Sequence, residues 1–133
     1  MASVISERSG AVQRLQLNEP DSMNALSKTL SAERGRGVAS AVADPDVRCI
    51  LLTGTGRAFY AGGDIPLWTT GGRARCAHRI AAHHSWVKQL LQGGKPVVTA
   101  INGLAAGAGF AVALFATLSL RLMRPDSAPP FLA

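Results

Sequence analysis

Ala58-Phe59-Tyr60-Ala61-Gly62-Gly63-Asp64-Ile65 is the stretch on which the fold depends. Just before it, Cys49-Ile50-Leu51-Leu52-Thr53 is apolar and ends at Gly54-Thr55-Gly56. That order predicts a buried strand running into a glycine-bearing turn. Two adjacent glycines let a backbone approach a neighbour and aim its N–H groups outward. A second turn, Asn102-Gly103-Leu104-Ala105-Ala106-Gly107-Ala108-Gly109-Phe110, follows another apolar run, Val97-Val98-Thr99-Ala100-Ile101. N–H groups that open a helix lack partners and sit at the positive end of its dipole. Two of them converging on one oxygen form an oxyanion hole. The alternative reading is that both turns only pack closely against their neighbours.

Outward from these turns the pattern is strand and helix in alternation. Ala11-Val12-Gln13-Arg14-Leu15-Gln16-Leu17 predicts a strand with one wet face. Asn18-Glu19-Pro20-Asp21-Ser22 is a turn cluster. A helix is expected from about Asn24 to Val42, capped by Ser22 or Asn24 and stopped by Asp44-Pro45-Asp46. A second helix is expected from Arg73 to Gln92, with Ile80, Val87, Leu90 and Leu91 on one stripe. A third, apolar helix is expected from Gly107 to Leu118. Long crossovers between strands argue for an α/β fold with parallel strands.

The chain has 133 residues, 47% apolar and 17% charged, which suits one globular domain. The net charge of +6 favours anionic partners, but no dense basic block points to nucleic acid. Two cysteines, Cys49 and Cys76, build no disulfide framework, so a reducing, cytoplasmic setting is expected. Met1 to Gly10 is polar and lacks the apolar segment of a signal peptide. Pro96 to Leu120 carries no charge and is long enough for a single membrane span. Pro96 and Asn102-Gly103 break it into strand, turn and helix, which is the preferred reading. Cys76, His78, His83 and His84 do not have the spacing of a helical metal pair, so no metal is expected. Neither turn matches a phosphate loop or a dinucleotide fingerprint.

An ordered series of segments resembles the crotonase (enoyl-CoA hydratase/isomerase) superfamily. It runs from Leu17-Asn18-Glu19-Pro20 and Asn24-Ala25-Leu26-Ser27 through Ala43-Asp44-Pro45-Asp46-Val47-Arg48 and Leu52-Thr53-Gly54. Phe59-Tyr60-Ala61-Gly62-Gly63-Asp64, Lys95-Pro96-Val97-Val98, Asn102-Gly103 and Ala105-Ala106-Gly107-Ala108-Gly109 continue it. The resemblance covers about residues 11 to 116, and residues 117 to 133 are atypical. It implies a crotonase-like spiral of strand–helix units and an acyl-CoA thioester as substrate, within fatty acid metabolism. Coenzyme A would enter as part of that substrate, with no separate cofactor. The resemblance further implies that the N–H groups of Gly63 and Ala108 hold the thioester oxygen. Ala25, Ala61, Gly62, Asp64 and Ile65 would lie beside the ligand, and Arg57 is our own candidate for a CoA phosphate.

The same resemblance marks departures. Hydratases of this kind place a glutamate three residues after the second oxyanion donor, and here that position is Ala111. A second family acid would fall beyond Ala133. Members are about twice this length, have C-terminal helices that complete the pocket, and form homotrimers or hexamers. The expectation is therefore a partial crotonase-like domain over 1–133, truncated before the C-terminal helical part, with little turnover and no such assembly. A non-catalytic acyl-CoA-binding fragment is the alternative.

Overall fold

The computed structural model describes residues 1–63 and 72–121; the side chains at 72–76, 79, 82, 83 and 121 lie outside that description. Among the described residues the strands are β1 (Val4–Ser9), β2 (Val12–Leu17), β3 (Cys49–Gly54), β4 (Ala58–Tyr60), β5 (Val97–Ile101), β6 (Leu104–Ala105) and β7 (Leu118–Arg121). The helices are α1 (Lys28–Ala43), α2 (Gly72–Gln92) and α3 (Ala108–Phe115). The main sheet runs in the order β1-β2-β3-β5-β7, and β4 pairs with β6 in a second, two-stranded sheet. The fold is α/β, as the alternation of apolar runs predicts.

Every main-sheet pairing is parallel except β1 with β2, which is antiparallel. The polar opening of the chain thus forms an edge strand, a departure from the all-parallel expectation. Such a strand buries little, and only Val4 of β1 is buried. Alternation then sets the faces. Leu15 lies beside Leu52, and Leu52 beside Thr99, in one row that faces the helices. Leu15, Leu30, Val38 and Ile50 are fully buried there, each worth about 1.5–3 kcal/mol of apolar burial. Cys49 falls on the opposite, half-buried face rather than in the core.

α1 starts four residues later than expected. Neither Ser22 nor Asn24 caps it; the Ser27 hydroxyl accepts from the Leu30 N–H at 3.0 Å. Asn24 is instead left-handed, at φ 55°, in the turn before the helix. At the other end of α1, the Lys95 ammonium donates to the carbonyls of Ala41 and Asp44. In α2 the buried stripe is Trp86 and Leu90, one turn apart, with Val87 half-buried. Ile80 and Leu91 are exposed, because a period of 3.6 turns them away from Leu90.

The uncharged run from Pro96 to Leu120 is divided among β5, β6, α3 and β7. No helix among the described residues is long and apolar enough to cross a membrane. α3 ends at Phe115 rather than Leu118, and Leu118 to Arg121 form β7 beside β5. Thr117 and Ser119 anchor that strand. Thr117 accepts from the Val97 N–H at 3.1 Å, and buried Thr99 donates to Ser119 at 2.9 Å.

Candidate active site: two glycine turns

The first turn begins where β4 ends. Its backbone is tied down on one side by the segment before α1: the Ala61 N–H donates to Met23 O at 3.1 Å, and the Leu26 N–H to Gly62 O at 2.8 Å. Leu26 and Gly63 form an isolated parallel bridge. The second turn closes from the other side. Ala58 pairs with Leu104 and Tyr60 with Ala105, and the Ala106 N–H donates to Tyr60 O at 3.2 Å.

Gly62 is where the two turns touch. Its φ is +95°, and a Cβ there would lie 2.9 Å from Ala106 O and 3.3 Å from Ala108 N. A side chain at this point would be strained and would push the turns apart. Gly109 meets β4 as closely, since a Cβ there would stand 1.9 Å from Tyr60 O. Gly107 caps α3, so Ala108 opens that helix, as its sequence position suggested. Among the described residues, the backbone hydrogen bonds of these turns use the N–H groups of Ala61, Leu104, Ala106, Gly109 and Ala111, and none is donated by Gly63 or Ala108. Gly63 and Ala108 are each half-buried, as are Ala25 and Ala61. An N–H group at the start of a helix, as at Ala108, favours negative charge nearby.

Of the residues expected beside a ligand, Ala25, Ala61, Gly62, Gly63 and Ala108 are thus drawn together. Asp64 and Ile65 lie outside the described residues. Arg57 is exposed, and its carbonyl accepts from the Leu104 N–H at 3.2 Å. Ala111 sits one turn into α3, its N–H on Gly107 O at 3.1 Å. Four of the described carboxylates are engaged: Glu7 with Arg14, Glu19 with Ser27, Glu33 with the Val4 N–H and Asp44 with Arg8.

Two asparagines hold the site from beneath, a role the sequence reading did not assign. Asn24 is fully buried; its Oδ1 accepts from the Glu19 N–H at 2.8 Å, and its Nδ2 donates to Ala58 O at 2.9 Å and Thr55 O at 3.1 Å. Asn102 accepts from the Gly54 N–H at 3.1 Å and donates to Gly56 O at 2.9 Å and Ala58 O at 3.1 Å. Both amides converge on the Ala58 carbonyl and fix the entry to β4.

Under Tyr60 lies a second unassigned residue, Arg34 of α1, only 1% exposed. Its guanidinium carbon is 3.9 Å from the Trp86 ring centroid and 5.3 Å from that of Tyr60. Burial lowers the pKa of Arg34 and raises that of Tyr60, and their mutual attraction and hydrogen bond oppose both shifts. A small apolar cavity, about 20 Å³ and lined by Leu52, Trp86, Val97, Val112 and Phe115, lies between the sheet, α2 and α3. It has room for about one water and none for an acyl group.

Residues 7–122 match the family described as Enoyl-CoA hydratase/isomerase. The 1,2-epoxyphenylacetyl-CoA isomerase of Escherichia coli (strain K12) is 32% identical over 120 residues, covering 86% of this chain and 45% of that protein. An enoyl-CoA hydratase subunit I from Geobacillus kaustophilus HTA426 superposes with a TM-score of 0.78 at 35% identity, over 90% of this chain and 46% of that one. The enoyl-CoA hydratase of Thermoplasma volcanium GSS1 gives 0.84 at 26% identity, over 91% and 48%. The chain therefore belongs to the enoyl-CoA hydratase/isomerase, or crotonase, family, and its fold is the crotonase fold. It spans about half the length of these relatives.

Proposed function

We propose that this chain binds an acyl-CoA thioester and polarises its carbonyl through the N–H groups of Gly63 and Ala108. The reaction class is the family's own, hydration or isomerisation of an enoyl-CoA through an enolate. The observation that carries the reading is the contact of Gly62 with Ala106 and Ala108, which sets one turn against the other. Ala25, Ala61, Asp64 and Ile65 would line the thioester and its pantetheine arm.

Taken alone, the 133-residue chain is a poor catalyst in this reading. Ala111 cannot move a proton, and Glu7, Glu19, Glu33 and Asp44 are taken up by Arg14, Ser27, the Val4 N–H and Arg8. Missing acid–base assistance costs typically about 10²–10⁴-fold. The same observation favours a second reading of this chain by itself, an acyl-CoA binder without turnover. The test is a pair of measurements on the purified chain: thermal stabilisation by crotonyl-CoA, and loss of its enoyl absorbance. Stabilisation with a rate at least about a hundredfold below that of a full-length relative is expected. A melting temperature unmoved by saturating crotonyl-CoA overturns the ligand assignment. A rate matching the relative overturns the prediction of low activity.

A further inference from the structure

Arg34 is an unusual core residue. A fully buried guanidinium loses its hydration, a penalty that remains several kcal/mol per ion even after the surroundings relax. Stability alone therefore gives little reason for a cation here, and geometry gives a better one. Arg34 stands on α1 with its guanidinium over the rings of Trp86 on α2 and Tyr60 on β4. Tyr60 is the residue that both glycine turns touch. Its carbonyl accepts from the Ala106 N–H and is the wall against which Gly109 packs. Ala61 and Gly62 follow directly along the chain.

We infer that Arg34 is a positioning residue for the oxyanion pair, holding the Tyr60 ring so that the end of β4 sets the Gly63 and Ala108 N–H groups at one oxygen. The inference rests on the oxyanion reading proposed above. The path is short. The guanidinium fixes the ring, the ring fixes the strand end, and the strand end carries the first turn while receiving the second. Cation–π attraction suits this task because it fixes a ring face without needing a counter-charge. An apolar residue of equal size would fill the space but would set no preferred stacking.

The probe is acetoacetyl-CoA, whose enolate absorbs in the near ultraviolet and is favoured where an oxyanion is stabilised. Arg34→Met keeps the side-chain length and removes the charge; Arg34→Gln keeps a planar polar head. Thermal melting is measured beside the bound-enolate absorbance for each. The expected result is a chain that still melts cooperatively, with an enolate signal roughly tenfold weaker, since displacement of about 1 Å in such a site can cost 10²-fold. Either variant that folds decides the matter, and Trp86→Phe, which keeps a ring under the guanidinium, should keep the signal. A folded Arg34→Met or Arg34→Gln chain with the full parental signal overturns the role of Arg34 and leaves the oxyanion reading standing. A parent chain that leaves the free spectrum unchanged at saturating probe overturns the oxyanion reading, and the role of Arg34 with it.

Discussion

Single residues decide this site more by what they leave out than by what they carry. Gly62 has no side chain because the carbonyl of Ala106 occupies that place. Gly62→Ala is expected to destabilise the chain by about 2 kcal/mol or more, combining a left-handed backbone penalty with a steric clash. Urea unfolding measures the loss, and the variant should also lose stabilisation by crotonyl-CoA. The glycine pattern was legible because no other residue tolerates that backbone. Asn24 was not: the sequence offers it as a helix cap, and only the fold shows its amide turned inward to Ala58 and Thr55. Arg34 escaped for a related reason. On a helix between Leu30 and Val38, four residues from each, an arginine reads as an interruption of the apolar stripe. The rings that cover it come from two distant segments.

At the scale of elements, α1 is held at both ends by single groups, so its stability can be titrated from either side. Ser27→Ala removes the Oγ that accepts from the Leu30 N–H and should cost about 1 kcal/mol. Lys95→Met removes the ammonium that donates to Ala41 O and to Asp44 O just past α1, and should cost as much or somewhat more, since charged hydrogen bonds are the stronger kind at about 1.5–3 kcal/mol. Denaturation midpoints of both variants check this. β3 and β5 were legible as apolar runs between turn signals because both central strands bury a full face. β1 and β7 were not. β1 buries only Val4, and β7 turns Thr117 and Ser119 to its anchoring contacts while Leu118 and Leu120 stand more than half exposed. Binary patterning finds a strand by a buried apolar face, which β1 has too few apolar residues to build and which β7 turns outward.

The molecule as a whole has its buried ionisable pair at the junction of α1, α2 and β4. Burial raises the Tyr60 pKa above its ordinary value near 10, so the folded state holds that proton more tightly than the unfolded chain. Its contribution to stability is complete below pH 10 and falls as pH rises through the folded value. Arg34 acts in the opposite sense, since its lowered pKa makes the unfolded chain the better proton binder. The stability difference between the parent and Tyr60→Phe isolates the tyrosine: constant at neutral pH, it should shrink above about pH 10 in pH-dependent urea unfolding. A difference independent of pH up to 11.5 would contradict the assignment. The described residues also leave Phe110, Leu114, Phe115, Leu118 and Leu120 open to solvent along α3 and β7. Apolar exposure of that extent, beside a sheet edge, raises the tendency to associate.

The seam between the turns has a consequence in time as well as in space. Gly54 and Asn102, which bond just ahead of it, stand 48 positions apart, and β4 finds its only described partner in β6. On a ribosome the first turn would emerge well before the second, and no half of the site has a use without the other. A ligand bound as proposed above would therefore grip only a chain in which both turns have met. A ligand seated there should slow amide exchange at Leu104 and Ala106 by a factor that grows with its concentration relative to its dissociation constant. Those two protons would then report, at single-residue resolution, how strongly binding holds the turns together.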